Sequence, residues 1–223
     1  MVTTSAKRPA RRPGFAELAL SAVTIPPERQ PGGRRPAPGS LGLVQAFVNT
    51  FWDLDRHGAD RLEDPRALAE WLSSRGLLEP GTRLSEADLR RALGVREGLR
   101  ALLLANNGGV PDRAKVEHLN RALRIPELFV ELSATGPPGF AARRRSLDGA
   151  LALIASAVAV AQIDGSWSRL KACRGDHCGW AFYDHSRNQA SSWCSMSVCG
   201  GRAKARNYRR RRRARPSTAG PRS

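Results

Sequence analysis

Four cysteines, the whole cysteine content of the 223-residue chain, fall in two close pairs: Cys173-x4-Cys178-x15-Cys194-x4-Cys199. Two such pairs separated by a hairpin-length segment are the pattern of a structural zinc site. Each short loop offers two thiolates to one side of an ion, and the intervening segment brings the second pair round to complete a tetrahedron. Four thiolates leave no open coordination position, so the chemistry is structural rather than catalytic, with one Zn2+ per chain. Three other readings stay open at this level. His177 or His185 replaces a cysteine, the thiols pair as disulfides, or they are simply buried.

The segment around these cysteines has too few apolar residues to fold alone, so metal binding supplies much of its folding free energy. Trp180, Phe182 and Tyr183 lie in a run with β propensity, and Asp184 to Asn188 is turn-like. The expectation is a hairpin whose aromatics pack under the metal. The alternative is that they stack on nucleic-acid bases. Beyond Cys199 the sequence is rich in Ala, Lys and Arg, which are strong helix formers. Arg202, Arg206 and Arg209 share roughly one helical face, with Arg210 and Arg213 beside them. Arg187 in the turn, Lys204, and Arg211 and Arg212 complete a set of candidate nucleic-acid contacts. Five consecutive arginines repel one another, so residues 211–223 read as a disordered phosphate-clamping tail.

The charge distribution supports a polyanionic partner. Residues 41–165 hold 16 Lys/Arg and 16 Asp/Glu, whereas residues 166–223 hold 14 basic and 2 acidic residues. A neutral body with basic ends points to nucleic acid, against the bland reading of solvation. Residues 1–40 hold 7 of the 15 prolines and read as a disordered basic tail. No apolar run approaches the ~20 residues a bilayer requires, and no signal-peptide pattern follows the N-terminal basic residues. The expected location is cytoplasmic and nucleoid-associated. His57, His118, His177 and His185 form no catalytic spacing, and no phosphate loop or nucleophile elbow is present, so no enzyme is expected.

The elements that must position the cysteines are mainly helical. Leu41, Val44, Phe47, Val48 and Phe51 recur at helical spacing behind Ser40 as a cap. Asp64-Pro65 opens a second helix that stops at Gly76. Ser85 with Asp88 resembles a capping box ahead of a long apolar-striped helix, and Asp112 opens another. Ile125 to Leu132 reads as a short strand or pair of strands. Leu147 to Ile163 is apolar on nearly every side, which predicts a helix buried all round. The fold class is therefore mainly α: a helical domain at 41–165 and a small β-hairpin/helix module at 166–210. Asn49 and Thr50, polar at the end of an apolar helix, are candidates for a small-molecule pocket, or else simply end the helix on backbone groups. Asn106 to Gly109 reads as a loop.

The stretch Arg169-Leu170-Lys171-x-Cys173, Cys178-Gly179-Trp180-x-Phe182-Tyr183-Asp184, Ser186-Arg187-Asn188 and Trp193-Cys194-Ser195-Met196-x-x-Cys199-Gly200-x-Arg202-Ala203-Lys204 resembles the CGNR zinc-finger family. Upstream, Phe47-Val48-Asn49-Thr50, Leu68-x-x-Trp71-Leu72 and Leu119-Asn120 resemble the looser pattern of the alanine-rich ABATE domain that precedes this finger in bacterial proteins. The resemblance covers about residues 40–210. It implies a stress-induced transcription regulator whose finger binds DNA. The family's name-giving asparagine is Gly201 here, which leaves zinc binding intact and removes any base contact made by that asparagine.

The leading expectation is a DNA-binding regulator whose helical domain senses an effector or forms a homodimer. RNA binding and a zinc-stabilised protein-interaction module are the alternatives. Replacing Cys194 with Ser is expected to unfold the C-terminal module while sparing the helical body.

Overall fold

The computed structural model describes residues 23, 29–52, 60–124, 128–131 and 139–214. Six helices and two short hairpins follow in the order α1 (Leu41–Val48), α2 (Pro65–Ser73), α3 (Glu86–Asn106), α4 (Arg113–Ala122), β1 (Leu128–Glu131), β2 (Gly139–Ala142), α5 (Leu147–Ile163), β3 (Leu170–Ala172), β4 (Ala181–Tyr183) and α6 (Gly201–Ala214).

Side-chain caps set most helix starts. The Asp64 carboxylate accepts from the Ala67 amide, Asp112 from Lys115, and Ser146 from Gly149. Ser85 and Asp88 form a complete capping box. Ser40 differs from expectation. It precedes α1 in helical conformation and makes no cap hydrogen bond. Its helix is instead held by burial, because all eight residues of α1 are buried.

α1 and α5 form the centre of the body, with α3 packed across them. α5 spans the predicted range, and ten of its 17 residues are buried. α4 lies close along α3 because Gly94 and Gly98 face it. A Cβ at Gly98 would stand 2.6 Å from Leu119 Cβ, and one at Gly94 would collide with the His118 ring. β1 and β2 pair antiparallel, with Leu128 opposite Ala142 and Val130 opposite Phe140. β2 rests on α5.

The body and the C-terminal module share one apolar core. Leu170, Ala172, Ala181 and Tyr183 cluster with Leu41, Phe47, Leu99 and Ile154. Residues 29–40, expected to be part of a disordered tail, run instead as an ordered strap over the module. Residues 1–22 and 24–28 of that tail lie outside the described residues. At the other end, α6 carries the helix through Ala214, past the expected boundary at 210, and residues 215–223 lie outside the described residues.

Candidate metal centre

Cys173 directly follows β3, and Cys178 stands three residues before β4. The hairpin loop is therefore the first knuckle. Its partner strand is upstream, at 170–172, not after the 184–188 turn. Leu170 pairs with Tyr183 and Ala172 with Ala181, and the Cys173 amide extends the ladder to Trp180 O at 2.9 Å. Within the loop, His177 and Gly179 take left-handed backbone angles of +57° and +60°. Gly175 packs on the sulfurs. A Cβ there would lie 2.9 Å from Cys199 Sγ, closer than atoms tolerate.

The second knuckle is built as a helix start. Cys194 precedes Ser195, whose Oγ accepts from the Val198 amide. A wide turn, Met196–Gly200, then carries Cys199 inward and runs straight into α6. The metal centre and the basic helix are thus one continuous piece.

All four sulfurs lie within 4.8 Å of one another. Cys178 and Cys194 are 3.7 Å apart, Cys194 and Cys199 3.6 Å. A tetrahedron with Zn–S bonds of about 2.3 Å has edges of about 3.8 Å, so the separations fit a bridging ion and are far too long for disulfides. The cysteines are free thiols and buried to 3% exposure or less. Amides of Gly175 and Cys194 point at Cys173 Sγ at 3.4 and 3.3 Å, as thiolate ligands require. The crowding acts on the thiols in opposite directions. Hydrogen bonds from Cys178 and Cys194 pull Cys173 down, while the Cys173 sulfur pushes Cys178 and Cys194 up, and burial pushes Cys199 up. Four thiolates at this spacing need a cation among them. His177 and His185 stand outside the cluster and are exposed. The donor set fits one structural zinc ion, held by Cys173, Cys178, Cys194 and Cys199. Such an ion supplies folding free energy and no open position for a substrate.

The aromatics support the site from within. Trp180, Phe182 and the four cysteines form one cluster, with Trp52 edge-on to Trp180 at 4.8 Å. The long 184–193 loop is tied down by a buried ion pair between Lys171 Nζ and Asp184 Oδ2 at 3.0 Å. Asp184 also accepts from the Ser186 hydroxyl and from the amides of Ser186 and Ser191.

Side chains on and at the ends of α1 and α3 hold the module in place, and these were not recognised from sequence. The Asn49 side-chain amide exchanges two hydrogen bonds with the Ala181 backbone, 2.7 and 2.9 Å, pairing β4 as a strand neighbour would. Gln45 Nε2 donates to the same carbonyl. Asn107 donates to Ala172 O and Ser192 O, and Asn106 to Trp167 O and Leu170 O. Arg100, nearly buried, donates to Gly179 O in the first knuckle and to Val48 O and Phe51 O at the end of α1.

Asn49 and Thr50, the candidate pocket residues, are engaged by the protein's own groups. Both are wholly buried, Asn49 on β4 and Thr50 on Phe47 O and the Arg96 guanidinium. Asn106 is the last residue of α3 and the expected loop begins at Asn107, with both side chains acting as clamps on the module. The candidate nucleic-acid residues are differently placed. Arg187, Arg202, Lys204 and Arg209 to Arg213 are exposed, and Arg206 is half-buried against Asp176 at 3.2 Å.

Two family patterns match the chain. The ABATE family, described as "Putative stress-induced transcription regulator", matches residues 41–164. The CGNR zinc finger matches residues 169–212. Comparison with curated proteins gives no match. With the helical body over more than half of its length and four converging thiols behind it, the chain belongs to the ABATE family and carries a CGNR zinc finger at its C-terminal end.

Proposed function

We propose that this zinc-finger protein is a DNA-binding transcription regulator, with α6 as its nucleic-acid contact. One observation carries the reading. α6 leaves the metal centre as a 14-residue helix, about 21 Å long at 1.5 Å per residue, of which Ala203 is the one buried residue among those described. Arg202, Lys204, Arg206 and Arg209 to Arg213 cover it with cations and no acidic residue. A helix exposed on nearly all sides and anchored at one end can lie along a groove, its guanidinium groups pairing with phosphates.

The burial of Trp180, Phe182 and Tyr183 bears on the choice between DNA and RNA. Single-strand recognition relies on exposed aromatic faces for base stacking, and these three face the protein's own core. That favours duplex DNA bound through its backbone. The helical body is proposed as the effector-sensing or dimerising part. Among the described residues no helix is long and apolar enough to cross a membrane. A cytoplasmic, nucleoid-associated location suits this function.

The test is the salt dependence of duplex binding. If about six to ten phosphates are neutralised, affinity falls by about 10³–10⁵ between roughly 50 and 200 mM salt. Deleting residues 209–215 is expected to flatten that slope markedly. A slope unchanged by the deletion overturns the role of α6. Absence of any nucleic-acid affinity at physiological salt favours the protein-interaction module instead.

A further inference from the structure

Residues 29–40 lie outside both matched segments, yet they lie on the second cysteine pair. Arg34 Nε donates to Cys194 O at 2.8 Å and Nη2 to Trp193 O at 3.1 Å. The same guanidinium sits 4.9 Å from the centre of the Phe182 ring, in the aromatic cluster beneath the sulfurs. Two residues earlier, Gly32 takes a left-handed φ of +68°, and a Cβ there would stand 2.9 Å from Ser195 Oγ. Ser195 caps the turn that delivers Cys199. Gln30 Oε1 accepts from both Trp180 Nε1 and Gln45 Nε2 at 3.0 Å. Gln45 Oε1 accepts from the Ala37 amide at 2.7 Å. The strap is thus fastened to the first knuckle's tryptophan, the second knuckle's backbone and α1.

The electrostatics point the same way. Four thiolates around a divalent cation carry a net charge of about −2, and neighbouring positive charge and donors to the ligands' backbone hold such a site together. Arg34 supplies a permanent cation with a two-point fork, placed on the backbone of ligand Cys194 and the residue before it.

We propose that residues 29–40 are an integral part of the metal centre, and that Arg34 is a positioning residue for Cys194. By fixing the backbone of the second knuckle and offsetting its charge, Arg34 sets how tightly zinc is retained and how Cys194 is aimed at the ion. This rests on the zinc site alone and not on nucleic-acid binding.

The experiment uses the full-length zinc-loaded chain and follows zinc transfer to an excess of a chromophoric chelator. Arg34→Ala is expected to speed release by about tenfold, the lower end of what lost partners around metal ligands cost in affinity. Arg34→Lys keeps the charge but not the fork and should fall between. Arg35→Ala, at an exposed neighbouring cation, should release at the wild-type rate. The cobalt(II)-substituted proteins are compared in parallel, because their visible d–d bands report ligand geometry and not overall stability. Arg34→Ala is expected to shift those bands. Should Arg34→Ala fail to fold, Gly32→Ala carries the test, since its methyl would press on Ser195, and it too should speed release. Release at the wild-type rate in Arg34→Ala or its stand-in overturns the proposal. So does faster release with an unaltered cobalt spectrum, which would reduce Arg34 to a general stabiliser.

Discussion

Gly201 stands where the finger family is named for an asparagine, and its backbone says what that position demands. Its φ of −62° and ψ of −45° are right-handed helical, so neither a left-handed turn nor a cap is needed there. An added Cβ would sit 3.5 Å from Met196 O, an ordinary contact. Glycine within a helix costs about 0.5–1 kcal/mol relative to alanine. Gly201→Ala should therefore keep one zinc per chain and raise stability in chemical denaturation by about that amount. A loss of stability would mean that the bare backbone is required. Asp184 makes the opposite case, a residue with no substitute. Burial alone would raise its carboxyl. The Ser186 hydroxyl, the Lys171 ammonium and the amides of Ser186 and Ser191 outweigh this and hold it well below the usual carboxylate range. A carboxyl depressed on folding contributes stability that is present above its unfolded value, about 3.9, and is lost as pH falls through the folded one. Asp184→Asn leaves Lys171 buried without its counter-charge, at a cost of about 3–5 kcal/mol. Urea titrations at pH 8 and pH 5.5 should show the same gap from wild type, because Asp184 stays ionised across that window. A gap that closes between them would mean a carboxyl raised above the ordinary range, the opposite of a depressed one.

At the scale of elements, legibility followed the range over which a signal acts. α2, α3, α4 and α5 were readable because caps and apolar spacing act within one or two turns, as Asp64 on Ala67 and Ser85 on Asp88 show. The cysteine pairs were readable because zinc restricts both ligand type and spacing. The strap was not. Proline- and glycine-rich composition reads as disorder, and what orders residues 29–40 is a set of partners about 150 positions away, on Trp180, Trp193 and Cys194. Asn49, Asn107 and Arg100 were missed for the same reason. Asn49 and Asn107 are polar at helix ends, which locally predicts a stop, and Arg100 is a cation inside α3, which locally predicts a solvated face, while the partner carbonyls lie 49 to 132 residues off. These clamps make a prediction that separates them from ligand contacts. Asn49→Ala orphans the buried amide of Ala181 and deprives its carbonyl of one of two donors, at a cost of about 1–3 kcal/mol per unsatisfied group. Thermal unfolding should register that loss with no ligand present, whereas a pocket residue would leave stability unchanged.

For the whole molecule, the shared core changes what metal removal should do. A finger tethered by a linker would unfold alone on losing zinc, which is the outcome expected from the sequence for Cys194→Ser. Here Leu170, Ala172, Ala181 and Tyr183 pack among the residues of α1, α3 and α5. β4 also satisfies the side chains of Gln45 and Asn49. If β3 and β4 melt, those core residues lose apolar cover and two buried side-chain amides lose partners. Zinc therefore stabilises the body as well as the finger, since binding the native state alone shifts folding by mass action. Chelation, or Cys194→Ser, is expected to lower the melting temperature of the helical body, read from circular dichroism at 222 nm, and not only to remove the signal of α6. For a chain of this size each kcal/mol lost at the midpoint lowers the melting temperature by about 2–4 °C. A body that melts at the same temperature with and without the metal would show two independent units. One cooperative unit has a functional corollary: whatever binds and stabilises the helices also stabilises the knuckles from which α6 projects. The metal and any ligand of the helices would then reinforce each other, through the contacts of α1 and α3 with β3 and β4.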